Sequence, residues 1–239
     1  TETYDGTSFS EVNDMGTARY GIDTNIGTLT AGLTAGGKGG GTVYGNTEEW
    51  DGTNWSEQTD LSTSRRYLGG FGIQTAGVVC GGRTAPGPQT NATEEYNGSS
   101  WTTGGNMGTT REYMAACGIE SAGLTMGGNP TPITNVEHYN GTAWSEQSAA
   151  TPSQLTLFGI SGTQTNALIF GGETPSNTAA AFVYDGTTFA TSPSLGTARS
   201  AMGSPGPAGT STSAICIAGY TSTNVANTEE FTGETTTLN

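Results

Sequence analysis

An aromatic residue, a spacer, a glycine, two further residues and a second aromatic recur along the whole chain. The copies are Tyr4-Asp5-Gly6-Thr7-Ser8-Phe9, Trp50-Asp51-Gly52-Thr53-Asn54-Trp55, Tyr96-Asn97-Gly98-Ser99-Ser100-Trp101, Tyr139-Asn140-Gly141-Thr142-Ala143-Trp144 and Tyr184-Asp185-Gly186-Thr187-Thr188-Phe189. A shortened sixth begins at Phe231-Thr232-Gly233. The glycines Gly6, Gly52, Gly98, Gly141, Gly186 and Gly233 stand 46, 46, 43, 45 and 47 residues apart. A fixed period in this range marks a chain built from one unit that cannot bury its apolar face alone, so neighbouring units share a core. The 239 residues therefore read as a single domain, residues 1–239.

The unit is built of strands. The chain has 39 glycines and only 12% charged residues, with no periodic stretch of Ala, Leu, Glu and Lys that would make a long helix. Its apolar stretches are short and bounded by glycine, as in Val78-Val79-Cys80 and Ala167-Leu168-Ile169-Phe170, which suits buried strands. Taking 61–105 as the pattern, the sequence predicts strands over 66–73, 77–82, 93–96 and 99–102. Asn97-Gly98 and its equivalents read as tight type I′ turns, since both central residues of that turn need positive φ. A double glycine ends the second strand at Gly36-Gly37, Gly81-Gly82, Gly127-Gly128 and Gly171-Gly172, with Ala218-Gly219 as the fifth copy. Five such copies predict an all-β, five-bladed β-propeller of four-stranded antiparallel blades.

Two charged features recur with the unit. Arg19, Arg65, Arg111 and Arg199 precede a first strand, and the fourth unit is read as having Gln154 there. Acidic pairs precede the third-strand aromatic at Glu48-Glu49, Glu94-Glu95 and Glu229-Glu230, and the fourth unit is read as having Glu137-His138. The four arginines are the candidate contacts for an anion or a partner at one channel mouth. The competing assignment gives each of them to loop carbonyls or to a neighbouring blade's glutamate. Tyr20, Tyr44, Tyr67 and Tyr113 are the aromatics that could stack on sugars, with packing between blades as the simpler role.

Apolar residues running into Gly-Gly, a later aromatic and Trp, and an Arg leading into the inner strand together resemble the kelch family of propellers. The aromatic-to-Trp spacing is shorter than in most kelch repeats. Segments such as Thr93-Glu94-Glu95-Tyr96-Asn97-Gly98-Ser99-Ser100-Trp101 are similar to kelch-like repeats encoded by marine bacteriophages. That resemblance implies a virion or tail-associated structural or interaction module, located in the virion, whose partners are other virion proteins or host-surface glycans. It also implies a ring closed by strands from both termini, with 8–12 as the outer strand of the last blade beside 228–231. Deleting residues 1–12 is then expected to abolish cooperative unfolding. A lectin-like, carbohydrate-binding propeller for host attachment is the alternative, and a propeller glycoside hydrolase a third reading.

Other chemistry is thinly represented. A net charge of −14, with one Lys and six Arg, argues against nucleic acid and against an anionic membrane surface. His138 is the single histidine, so a copper radical oxidase of the kelch type and His-dependent triads lack their residues. A glycosidase needs two convergent carboxylates, whereas the acidic pairs here repeat by blade. Cys80, Cys117 and Cys216 show no disulfide or metal spacing and read as small buried hydrophobes. No transmembrane run or signal peptide is visible, and the start at Thr1 leaves open the removal of an initiator, a leader or a longer N-terminal part. The expectation is a non-enzymatic protein with no cofactor and no metal.

Overall fold

The structure is a computed structural model that describes all residues except 23, 25, 131, 132, 174, 204–208 and 234–239. Among the described residues there is no helix, and small antiparallel sheets stand in a propeller-like ring. Four blades are complete. The first comprises Ile26–Thr28, Ala31–Ala35, Thr47–Trp50 and Trp55–Gln58. The second comprises Gly69–Ile73, Ala76–Cys80, Thr93–Tyr96 and Trp101–Thr103. The third comprises Ala115–Ile119, Ala122–Met126, Asn135–Tyr139 and Trp144–Ala150. The fourth comprises Gly159–Thr163, Asn166–Phe170, Ala181–Tyr184 and Phe189–Ser192. In each, strands pair in chain order from the inside outward.

The structure has four blades, not the five expected. The fifth repeat contributes a two-stranded sheet, Ala214–Tyr220 with Asn224–Phe231, interrupted by an irregularity between Ile217 and Gly219. Where its first strand was expected, the bridges Gly203–Ile217 and Thr210–Ser213 flank 204–208. Residues 204–208 of that stretch lie outside the described residues. The expected closure is also corrected. Among the described residues, Glu2–Tyr4 and Phe9–Glu11 pair only with each other, and Asn224–Phe231 pairs only with Ala214–Tyr220. The N-terminal hairpin is therefore not the outer strand of the fifth unit. It meets that unit through a side chain, the Tyr4 hydroxyl donating to Glu230 Oε1 at 2.9 Å.

The repeated glycine turn differs from the type I′ prediction. Tyr96 pairs with Trp101, leaving four residues in the loop, and Asn97 does not take positive φ although Gly98 does, at 89°. The Asn97 side-chain oxygen accepts the N–H groups of Ser99 and Ser100, both at 3.0 Å. Asp5, Asp51, Asn140 and Asp185 hold their loops in the same way. An Asx-type bond replaces the second positive φ as the device that sets the turn. The flanking aromatics form cross-strand pairs, with ring centroids 4.9 Å apart for both Tyr96–Trp101 and Tyr139–Trp144.

Two hydrogen-bond series join successive units near the axis. In the first, Tyr67 N–H donates to Gly21 O, Tyr113 to Tyr67 O, Leu157 to Tyr113 O and Ala201 to Leu157 O, at 2.8–3.1 Å. Each of these five residues has positive φ, from 52° to 66°. In the second, Gly37 N–H donates to Arg65 O, Gly82 to Arg111 O, Gly128 to Leu155 O and Gly172 to Arg199 O. The second glycine of each pair thus ties its blade to the next. The first has no room for a side chain, since a Cβ on Gly81 would lie 2.7 Å from the Arg111 carbonyl. Apolar residues fill the seams: Leu33 and Leu68 between the first two blades, Phe71 and Met114 between the next two, Leu155 and Ile169 between the third and fourth, and Phe170 and Cys216 between the fourth blade and the fifth repeat.

Candidate functional site

All four predicted arginines are buried within their own repeats, with no side-chain exposure. Arg19 pairs with Glu48, Arg65 with Glu94 at 2.6 Å, Arg111 with Glu137 and Arg199 with Glu229. Arg65 also donates to the carbonyls of Gly81 and Ala92, Arg111 to those of Gly127 and Asn135, and Arg199 to those of Ala218 and Asn227. The second carboxylate oxygen of each glutamate accepts a backbone N–H three residues before the arginine: Gly16, Ser62, Gly108 or Gly196, at 2.6–2.8 Å. One ion pair thereby fastens the lead-in loop, the end of the second strand and the third strand of each unit. Burial pushes the Arg65 and Arg111 guanidinium groups below their ordinary value, while the glutamates pull the other way. The four groups stand in four units, each with its own glutamate, and no anion in solution reaches them in this conformation.

The positive-φ residues and the seam bonds correct the alignment of the fourth unit. Leu155, not Gln154, lies two residues before Leu157 and accepts from Gly128, so it takes the arginine place. Glu137-His138 lies on the third strand of the third blade, and Phe182-Val183 takes that place in the fourth. Leu155 and Phe182 share one apolar cluster. Where the other units have a buried ion pair, the fourth has two apolar residues, Leu155 buried and Phe182 partly buried.

His138 Nε2 lies 3.1 Å from the Tyr184 hydroxyl, and burial holds its pKa below the ordinary value. Among the described residues, no group of three or more His, Cys, Asp and Glu side chains is placed to hold a metal ion. The three thiols are free and buried, and burial pushes that of Cys80 up to about 12, which keeps it protonated and unreactive. Of the predicted sugar-stacking aromatics, Tyr67 and Tyr113 stack on each other at 4.2 Å, and Tyr20 is exposed beside Lys38.

Two concave features adjoin Tyr113, one of the aromatics singled out in the sequence. A depression of about 690 Å³ is lined by Tyr113, Asn129, Gln154, Thr156, Glu173 and Pro175. Nearer the axis, a smaller space of about 240 Å³ is lined by Ile22, Leu157, Phe158, Ala201 and Met202, among others. Beside the larger depression, Glu112 is 2% exposed, and its Oε1 accepts from Arg83 and Gln89 at 3.1 and 3.0 Å. These residues come from the lead-in loops and from the loops that follow the double glycines in different units. No protein-family model matches this chain, and no curated protein matches it. No described helix is long and apolar enough to cross a membrane.

Proposed function

We propose that this chain is a non-enzymatic, kelch-like structural and interaction scaffold. The observation that carries this reading is that the recurrent charged groups are consumed inside the units, as buried Arg–Glu pairs. A repeated residue engaged in holding its own blade has no chemistry left for a substrate. The resemblance of Thr93-Glu94-Glu95-Tyr96-Asn97-Gly98-Ser99-Ser100-Trp101 to phage-encoded kelch-like repeats supports a virion or tail-appendage setting, with other virion proteins as partners. The acidic balance of −14 supports a partner other than nucleic acid. Labelling this chain in the intact particle and mapping it by electron microscopy tests the reading. Ordered contacts to other virion proteins are expected, and absence of the chain from purified particles would sink it.

A lectin-like role is the second reading, favoured by the mixed polar and apolar depression around Tyr113, Gln154, Thr156, Leu157 and Glu173. One ring and several hydrogen-bonding groups on a concave surface suit a neutral sugar. A glycan array on the isolated protein discriminates the two: saturable binding abolished by Gln154→Ala supports the lectin, and a blank array removes it.

A further inference from the structure

The N-terminal hairpin keeps the place of half a blade. In the complete seams, a third-strand aromatic reaches the acidic or polar third-strand residue of the preceding blade: Tyr96 to Glu49, Tyr139 to Glu95, Tyr184 to His138. Tyr4 reaches Glu230 in the same way, so the hairpin follows the fifth repeat. Likewise the outer-strand Trp reaches a threonine of the preceding blade, Trp101 to Thr47 and Trp144 to Thr93, both at 2.9 Å. Trp55 of the first blade reaches Thr1 at 3.1 Å, so the hairpin also precedes that blade. It stands between the two as the third and fourth strands of a further unit.

Among the described residues, the inner half of that unit has a set of unmet partners. Glu2 occupies the place of Glu48, Glu94, Glu137 and Glu229, yet it is exposed and pairs with no guanidinium among the described residues. Neither axial series crosses this seam: Ala201 is not bonded to Gly21, nor Gly219 to Arg19. Gly77 and Gly123, on the second strands of the second and third blades, are overlaid by Leu33 and Phe71 of the preceding blade, at 2.9 and 2.2 Å from an added Cβ. Gly32 holds that position in the first blade, and its nearest neighbours belong to its own blade. A groove of about 390 Å³ runs there, lined by Ile22, Ile26, Leu29, Gly32 and Trp55. The bond from Val12 N–H to Thr1 O fixes the alternation of the hairpin ladder, which turns the Glu2 and Tyr4 backbone groups to the opposite edge, where no described strand pairs.

We propose that this edge and groove form a docking site for a polypeptide β-hairpin of the repeat's own inner-strand type, led by an arginine. The incoming arginine pairs with Glu2, its second strand adds to the Glu2–Tyr4 edge, and an apolar side chain covers Gly32. This is strand addition with backbone bonds for affinity and three side-chain features for specificity. The proposal concerns a different surface from the depression around Tyr113 and Gln154 and stands whatever the setting of the protein.

A synthetic peptide with the sequence of residues 61–82, carrying Cys80→Ser, is the probe, titrated into the full chain and followed by Trp fluorescence and calorimetry. Saturable binding with a blue shift from Trp55 is expected. Arg65→Ala in the peptide and Glu2→Gln in the protein are each expected to weaken binding about tenfold or more, and both together no more than either alone. Gly32→Ala puts a methyl group into the groove without meeting any atom closer than 3.4 Å, so it leaves the melting temperature in place while weakening the peptide. No binding, or binding indifferent to both Glu2→Gln and Gly32→Ala, overturns the proposal.

Discussion

The Arg–Glu pair is the residue on which each unit turns. Buried ion pairs are sensitive to loss of one partner, because the other is left charged in a poorly solvated place, at about 3–5 kcal/mol. Glu94→Gln is accordingly expected to lower stability by about that amount, read by urea denaturation. Replacing both partners by apolar groups is close to neutral in many proteins. The fourth blade has made that exchange with Leu155 and Phe182. The Nε of each buried arginine also makes no hydrogen bond to protein, so the pair is incompletely satisfied. Arg65→Leu with Glu94→Phe is therefore expected to recover most of the stability lost in Glu94→Gln; a double variant no better than the single would show that the guanidinium–carbonyl bonds dominate. The turn aspartates make a second residue-scale prediction. Backbone N–H groups hold Asp5, Asp51 and Asp185 below their ordinary value of 3.8. A depressed folded pKa gives stability that is present above the unfolded value and lost as pH falls through the folded one. Replacing all three by Asn, as at Asn97 and Asn140, should flatten the decline in melting temperature below about pH 4. An unchanged acid limb would exclude these turns as its source.

At the scale of the strand, the second-strand glycine sets how closely blades stack. Gly123→Ala brings a Cβ to 2.2 Å from the Phe71 ring, and overpacking of this kind costs about 1–3 kcal/mol. Gly32→Ala, at the same place in the first blade, meets nothing closer than the Trp50 Cβ at 3.4 Å and is expected to be tolerated. Equal losses in thermal melts of the two variants would contradict the half-empty seam. The double glycines were legible in the sequence, because few other arrangements need two adjacent glycines at a strand end. Their task of bonding to the next arginine's carbonyl was not, since it joins residues about 30 apart whose approach only the stacking of blades creates. The misplacement of Gln154 has the same origin. Leu155 shows its equivalence to Arg65 through a bond and a positive φ at Leu157, not through residue type.

For the whole molecule, the corrected closure changes what truncation should do. Removing residues 1–12 takes away the Tyr4–Glu230 and Trp55–Thr1 contacts but no strand of a complete blade. Calorimetry is expected to show a lower melting temperature with a cooperative transition retained. Loss of the transition would mean that the hairpin is integral to the ring. The sequence by itself determined the strand-built unit, its period and the positions of its turns, because local backbone demands on glycine and Asx residues and the alternation of apolar strands act within one repeat. Tertiary structure alone decided how many repeats complete a blade, where the N-terminal hairpin stands, and that the arginines face inward to glutamates. Those outcomes depend on which partners meet across a seam, and seam contacts join residues that the repeat makes locally equivalent and only packing tells apart.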